Sequence, residues 1–215
     1  MKFGSVFDRA GARRGTPADL LVVGLGNPGS TYRGTRHNLG VEVIEELAGR
    51  HSTPGTSAAL ALSKADRALV AQVSIGGRRV VLAFPQTYMN LSGESVSLLV
   101  KRHGITDPGA IVVVHDEVDL PVGGLKVKVG GGNAGHNGLK SIEQHLGSRE
   151  FARVRVGVGR PTNSRAGKDH VLKAPSKADR DELDIVVREA ADAVECYLIN
   201  GIDETMNRFN RGSKR

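Results

Sequence analysis

Two short, wholly apolar runs constrain this chain most. Leu20-Leu21-Val22-Val23 is ended by Gly24, and Ile111 to Val114 is ended by His115-Asp116-Glu117. A run of this length without a polar face reads as a strand buried on both sides. From Leu39, apolar Val43 and Leu47 alternate with Glu42, Glu45 and Glu46 at helical spacing. Residues 51–63 read as irregular. Runs at 68–75 and 79–84 flank Gly76-Gly77, a hairpin signal. A helix is expected over 90–103, and alternating strands over Leu125–Val129 and Arg153–Val158. A short helix fits 137–146, a long amphipathic one 179–199 and a last one 202–209. Residues 160–178, rich in Pro, Ser, Gly and Lys, read as a mobile surface loop. Strands and helices intermix, with no repeat and no inner linker. The expected fold is α/β, a single domain with a mixed, mostly parallel central sheet flanked by helices. Its expected span is 19–210, with a basic, disordered tail at 1–18 and a short C-terminal tail at 211–215.

Composition narrows the partners. Hydrophobic residues make up 39% but aromatics only 4%, so the core is aliphatic. Lys and Arg number 30 against 23 Asp and Glu, a net charge of +7 that favours polyanionic partners, nucleic acid first. Most of the 28 glycines cluster between apolar runs and suggest sharp loops near a site. The single Cys196 has no partner for an internal disulfide and lies on an apolar helical face. No run approaches the roughly 18 apolar residues of a membrane span. Residues 1–18 lack the apolar segment of a secretory signal, and a cytoplasmic location is expected.

Gly24-Leu25-Gly26-Asn27-Pro28-Gly29 matches the dinucleotide fingerprint G-x-G-x-x-G. That fingerprint needs its glycines to open a helix, whose N-terminus holds the pyrophosphate. Here a polar stretch follows instead, the helix starts only near Asn38, and no strand ends in Asp or Glu about 20 residues on. A nicotinamide cofactor is therefore not expected.

Polar residues gather where strands end: His37-Asn38, Tyr88-Met89-Asn90, His115-Asp116 and His136-Asn137. Sites in open α/β sheets form beyond strand carboxyl ends, so these segments have reason to converge. His37, His115 and His136 lack the short paired spacing of a zinc site, and no metal is expected. No G-x-S-x-G elbow supports a serine nucleophile. A His–Asp pair can activate water, and Asn amides can orient it or stabilise an oxyanion. The same residues also have structural readings: Asn38 and Asn137 as helix caps, Asp116 as a sheet-end residue. Residue types alone leave the two readings open.

The motifs resemble a known family. The glycine segment, Tyr32, and Thr35-Arg36-His37-Asn38 look like the opening signature of bacterial-type peptidyl-tRNA hydrolases. Thr87 to Gly93, His115 to Pro121, Gly130 to Gly138 and Arg153 to Arg160 resemble four further blocks, in order, between Leu20 and Phe209. The resemblance implies a monomeric, metal-free, cofactor-free cytoplasmic enzyme. Such an enzyme cleaves the ester between peptide and tRNA and recycles tRNA from aborted translation. It implies His37 as general base, Asp116 as the partner that orients it, and Asn27 as a residue distinguishing N-blocked substrates. Asn90 and Asn137 resemble amides that position substrate and water. Tyr32 and Tyr88 resemble residues lining the site near the tRNA end. Lys128 and Arg155 resemble a clamp for the 5′ phosphate of the tRNA. The residues themselves add that Lys126 and Lys128 share one strand face, as do Arg153 and Arg155. The rival from another class is a noncatalytic RNA-binding relative acting as a splicing accessory protein.

Overall fold

The computed structural model describes residues 6–7, 15–52, 59–161 and 167–210. Strand β1 (Leu20–Gly24) pairs in parallel with β4 (Arg78–Pro85) on one side and β5 (Ile111–Glu117) on the other. β7 (Ala152–Gly157) continues the parallel pairing from β5. Antiparallel strands complete each edge: β3 (Ala68–Ile75) and β2 (Ala61–Ser63) beyond β4, and β6 (Leu125–Val129) beyond β7. The order is β2-β3-β4-β1-β5-β7-β6, a seven-stranded mixed sheet with a parallel centre.

Every residue of β1 and β5 is buried. Side chains alternate between faces along a strand. Leu20 and Val22 therefore join one core cluster and Leu21 and Val23 the other. Helices α1 (Leu39–Arg50) and α5 (Lys177–Phe209) cover the first cluster, with Ile44, Leu47, Val186 and Val194 packed into it. Helices α2 (Ser92–His103) and α3 (Asn137–Leu146) cover the second, with Val96, Leu99, Ile142 and Leu146. Cys196 is buried, as its helical face implied.

Several expectations are corrected. The stretch expected to be irregular ends in β2, while residues 53–58 lie outside the described residues. The segment read as a mobile loop holds α4 (Gly167–Val171) and the first residues of α5; residues 162–166 lie outside the described residues. Arg36, only 8% exposed, ties this segment down. It donates to the carbonyls of Lys173 and Ala174 and pairs with Asp179 at 2.8 Å. Of the N-terminal segment, Val6 is buried in the second cluster, and His103 Nδ1 donates to Thr16 O at 2.8 Å. The rest of that tail (1–5, 8–14) and residues 211–215 lie outside the described residues. Gly201, at φ 79°, breaks α5 where the sequence placed the gap between two helices.

Beyond that break, Asn210 closes the exposed edge of β6. Its Oδ1 accepts from Val127 N at 2.7 Å, and its Nδ2 donates to Val127 O at 2.9 Å. It thereby satisfies an edge strand as a neighbouring strand would. Among the described residues, no helix is long and apolar enough to cross a membrane.

Candidate active site

The start of α1 settles directly on the carboxyl ends of β1 and β5. A Cβ on Gly40 would stand 2.3 Å from Val114 O, and one on Gly24 2.2 Å from Gly40 O. Only glycine admits backbone this close. Gly24 therefore serves close packing of the helix, which is why the dinucleotide fingerprint appears here without its phosphate-binding turn. The short turn Arg36–Asn38 that enters α1 brings His37 to the end of β5. His37 Nδ1 lies 2.8 Å from Asp116 Oδ1.

Asp116 Oδ1 also receives His136 Nε2, at 3.1 Å. His136 is the N-cap of α3, and its Nδ1 accepts from the backbone N–H groups of Gly138 and Leu139 at 3.2 and 3.4 Å. A nitrogen that accepts carries no proton, so the His136 proton sits on Nε2 and is donated to Asp116. An ionised carboxylate accepts only, so His37 likewise donates from Nδ1. Nε2 of His37 is then left with its lone pair and no partner among the described residues. Asp116 is 3% exposed. Burial alone would raise its pKa, but the two imidazoles, His37 first, outweigh that and hold the carboxyl below the usual range.

The nitrogen and oxygen atoms of His37, Asp116 and His136 lie within 4.8 Å of one another, close enough for a metal ion. The hydrogen bonding opposes that use. To ligate through Nε2, neutral His136 would have to carry its proton on Nδ1, against two backbone N–H groups. Sequence spacing did not single out His136 for a role. The available signal was a His directly before a helix start, which the Asn137 cap reading overlooked.

His115 packs beneath this group. It is 1% exposed, donates from Nδ1 to Asp116 O at 2.8 Å, and meets the His136 ring edge-on at 5.0 Å. Burial, helped by His136, pushes its pKa down to about 3, so it is neutral near pH 7.

Asn27 and Asn38 form a second unit. Asn38 stands at the N-cap position of α1, but its side chain makes no capping bond to the helix. Its Oδ1 accepts from Asn27 N at 2.9 Å, and its Nδ2 donates to Asn27 O at 3.0 Å. Asn27 Oδ1 in turn accepts from Met89 N at 2.9 Å. This leaves Asn27 Nδ2 without a partner among the described residues. The turn Met89–Leu91 carries exposed Asn90, next to Tyr88 at 59% exposure. A Cβ on Gly138 would strike Met89 Sδ at 2.6 Å and Leu25 Cδ1 at 2.8 Å. That bare position lets the start of α3, which carries exposed Asn137, pack against the same turn. Tyr32, half-buried, has its carbonyl bonded by Thr35 Oγ1 at 2.7 Å. An open cleft of about 1010 Å³ runs from Asn27 and Asn38 past Arg33 and Glu45 along α1. The four polar segments thus converge as their strand-end positions implied.

Comparison with known proteins decides the family. The family model described as peptidyl-tRNA hydrolase matches residues 21–215. The chain is 47% identical over 191 residues to the peptidyl-tRNA hydrolase of Pseudarthrobacter chlorophenolicus, covering 88% of this chain and 94% of that one. It is 45% identical over 190 residues to that of Frankia alni, covering 88% and 93%. The crystal structure of peptidyl-tRNA hydrolase from Acinetobacter baumannii superposes with a TM-score of 0.82 at 34% identity, covering 91% and 96%. The chain belongs to the peptidyl-tRNA hydrolase family.

In this family member the cationic strand face differs from the simple alternation in one respect. Lys126 stands opposite Arg155 and Lys128 opposite Arg153, so all four share a face of the sheet. Arg153, however, is fully buried. It pairs with Glu143 at 3.0 Å and donates to the carbonyls of Gly131 and Gly132. Its task is to brace the glycine loop that leads to His136. Arg155 is half-buried and grips Glu117 through Nε and Nη2, at 3.0 and 2.9 Å. Lys128 lies over Gly131, where a Cβ would stand 2.7 Å from Nζ. Burial first, then Arg155 and Arg153, lower its pKa.

Proposed function

We propose that this chain hydrolyses the ester joining peptide to tRNA, with His37 as general base. Hydrolysis of peptidyl-tRNA is the activity named for its relatives and recycles tRNA from aborted translation. The observation that carries the residue assignment is the doubly shared oxygen of Asp116. With both imidazole protons committed to Asp116, His37 Nε2 presents a lone pair to water. Water loses a proton to Nε2 as its oxygen bonds to the ester carbonyl carbon. The tetrahedral intermediate then expels the ribose oxygen, which takes the proton back from His37. Asp116 stabilises the transient imidazolium. Asn27 Nδ2 is free to donate to the substrate and favours an N-blocked amide over a free ammonium, while Asn90 and Asn137 orient substrate and water. Tyr32 and Tyr88 flank the tRNA terminus. Lys128, aided by Arg155, contacts the 5′ phosphate of the acceptor end. A monomer acting in the cytoplasm belongs to the same reading.

The test is cleavage of N-acetyl-aminoacyl-tRNA beside unblocked aminoacyl-tRNA, by wild type and His37→Ala. Wild type should cleave the blocked substrate selectively. The variant should fold and lose roughly 10² to 10⁴ in rate. Near-normal turnover in the folded variant removes His37 from the mechanism. The names of the relatives all point to a hydrolase, which is what counts against the noncatalytic splicing reading.

A further inference from the structure

We propose that His115 is a positioning residue: it fixes the Asp116 carboxylate and the His136 ring in the arrangement that leaves His37 Nε2 free. The inference rests on the hydrolase reading above and deepens it. The geometry is a closed circuit of contacts. His115 Nδ1 donates to the backbone carbonyl of Asp116, its ring meets the His136 ring edge-on at 5.0 Å, and His136 Nε2 donates to the carboxylate of Asp116. The circuit spans Asp116 from main chain to carboxylate, so it fixes the side-chain torsions in between. The His136 ring is also held from the other side, with the His37 ring centroid 5.2 Å away.

Three features of His115 fit this task better than simple filling of space. Its Nε2 is buried with no hydrogen-bond partner among the described residues. An apolar side chain would avoid that cost, so the imidazole must supply something an apolar side chain cannot. What it supplies is the Nδ1 donor to Asp116 O. Its position on β5 stands opposite Arg155 in the register, on the cationic face and directly before Asp116. A neutral ring there keeps a further charge away from Asp116. The two imidazoles that touch Asp116 have defined partners for their protons, and His115 touches both Asp116 and one of them.

The test compares wild type with His115→Phe, which keeps a ring and loses the donor. One readout is kcat and KM on N-acetyl-aminoacyl-tRNA. The other is the nitrogen spectrum of the imidazoles in the free protein, which reports the tautomers without turnover. The expected result is a fall in kcat of roughly ten- to a hundredfold, the scale of a misplaced reacting group, with KM unchanged. The His37 and His136 nitrogen signals should shift from the pattern of Nδ1–H on His37 and Nε2–H on His136. Wild-type kcat with unshifted signals in the folded variant overturns the proposal. So does a loss confined to KM. If His115→Phe does not fold, His115→Leu removes the donor in a smaller side chain. It should show the same fall in kcat at unchanged KM with shifted nitrogen signals, and wild-type kcat with unshifted signals in it overturns the proposal equally. Should wild type itself fail to turn over the substrate, the hydrolase reading fails, and the nitrogen spectra alone decide the positioning role.

Discussion

The side chain of Asn38 grips the backbone of Asn27 at both its N–H and its carbonyl, at 2.9 and 3.0 Å. Both residues are buried, at 6% and 8% exposure. Past Leu25, whose N–H still bonds to Val114 O of β5, the segment leaves the sheet, so this side chain satisfies polar groups that burial would otherwise leave unpaired. With its backbone held by Asn38 and its Oδ1 held by Met89 N, Asn27 has only one direction left for Nδ2.

Asn38→Ala should therefore act on Asn27. It leaves the Asn27 N–H and carbonyl unpaired, and stability should fall by about 1–3 kcal/mol. The ratio of blocked to unblocked substrate cleavage should fall as well, as it should in Asn27→Ala. Urea unfolding and the two rates measure this. A stable variant with an unchanged ratio would show that the pair neither holds the segment nor sets selectivity.

His115 also makes stability depend on pH. Its folded pKa of about 3 lies below the ordinary value of 6.5, so the unfolded chain binds a proton that the folded one refuses. Stability from this group is complete above pH 6.5 and falls as pH drops toward 3, by up to about 1.4 kcal/mol per unit. Asp116, also lowered, adds its own loss only at pH below the ordinary carboxylate range. The slope of unfolding free energy between pH 6.5 and 4 should be shallower in His115→Phe by one proton. Equal slopes in the two proteins would mean that His115 titrates normally.

The sheet was legible because β1 and β5 carry no polar residue in their apolar runs, and both proved buried throughout. The contact of His37 with Asp116 was legible through their motifs. Other contacts were not. His136 is defined by a cap and a carboxylate 20 residues away, and neither bond has a spacing rule. Arg153 and Arg155 share a face as alternation requires, but alternation cannot report that Glu143 and Glu117 come to meet them. A cation's partner depends on tertiary packing, so the strand pattern reads the face and misses its neutralisation.

That neutralisation separates the roles of Lys128 and Arg155. No ion pair is formed by Lys128 among the described residues, while Arg155 compensates the carboxylate of Glu117, which is 5% exposed. Lys128→Ala should leave the fold intact and raise KM for full-length peptidyl-tRNA. It should also flatten the dependence of log affinity on log salt by about 0.7 to 0.9, the share of one phosphate contact. Cleavage of a short 3′-terminal fragment should change little, since the fragment lacks the 5′ phosphate. Arg155→Ala should instead lose several kcal/mol of stability, because removing one partner leaves a buried charge alone, typically at a cost of about 3–5 kcal/mol. Pairing it with Glu117→Gln should restore the fold. The salt slope of that double variant then reports what Arg155 adds to tRNA binding: a slope flatter than wild type assigns it a phosphate, and a wild-type slope leaves Lys128 as the sole contact of the pair. Parallel losses on long and short substrates in Lys128→Ala would mean that this lysine supports the active site and contacts no distant phosphate.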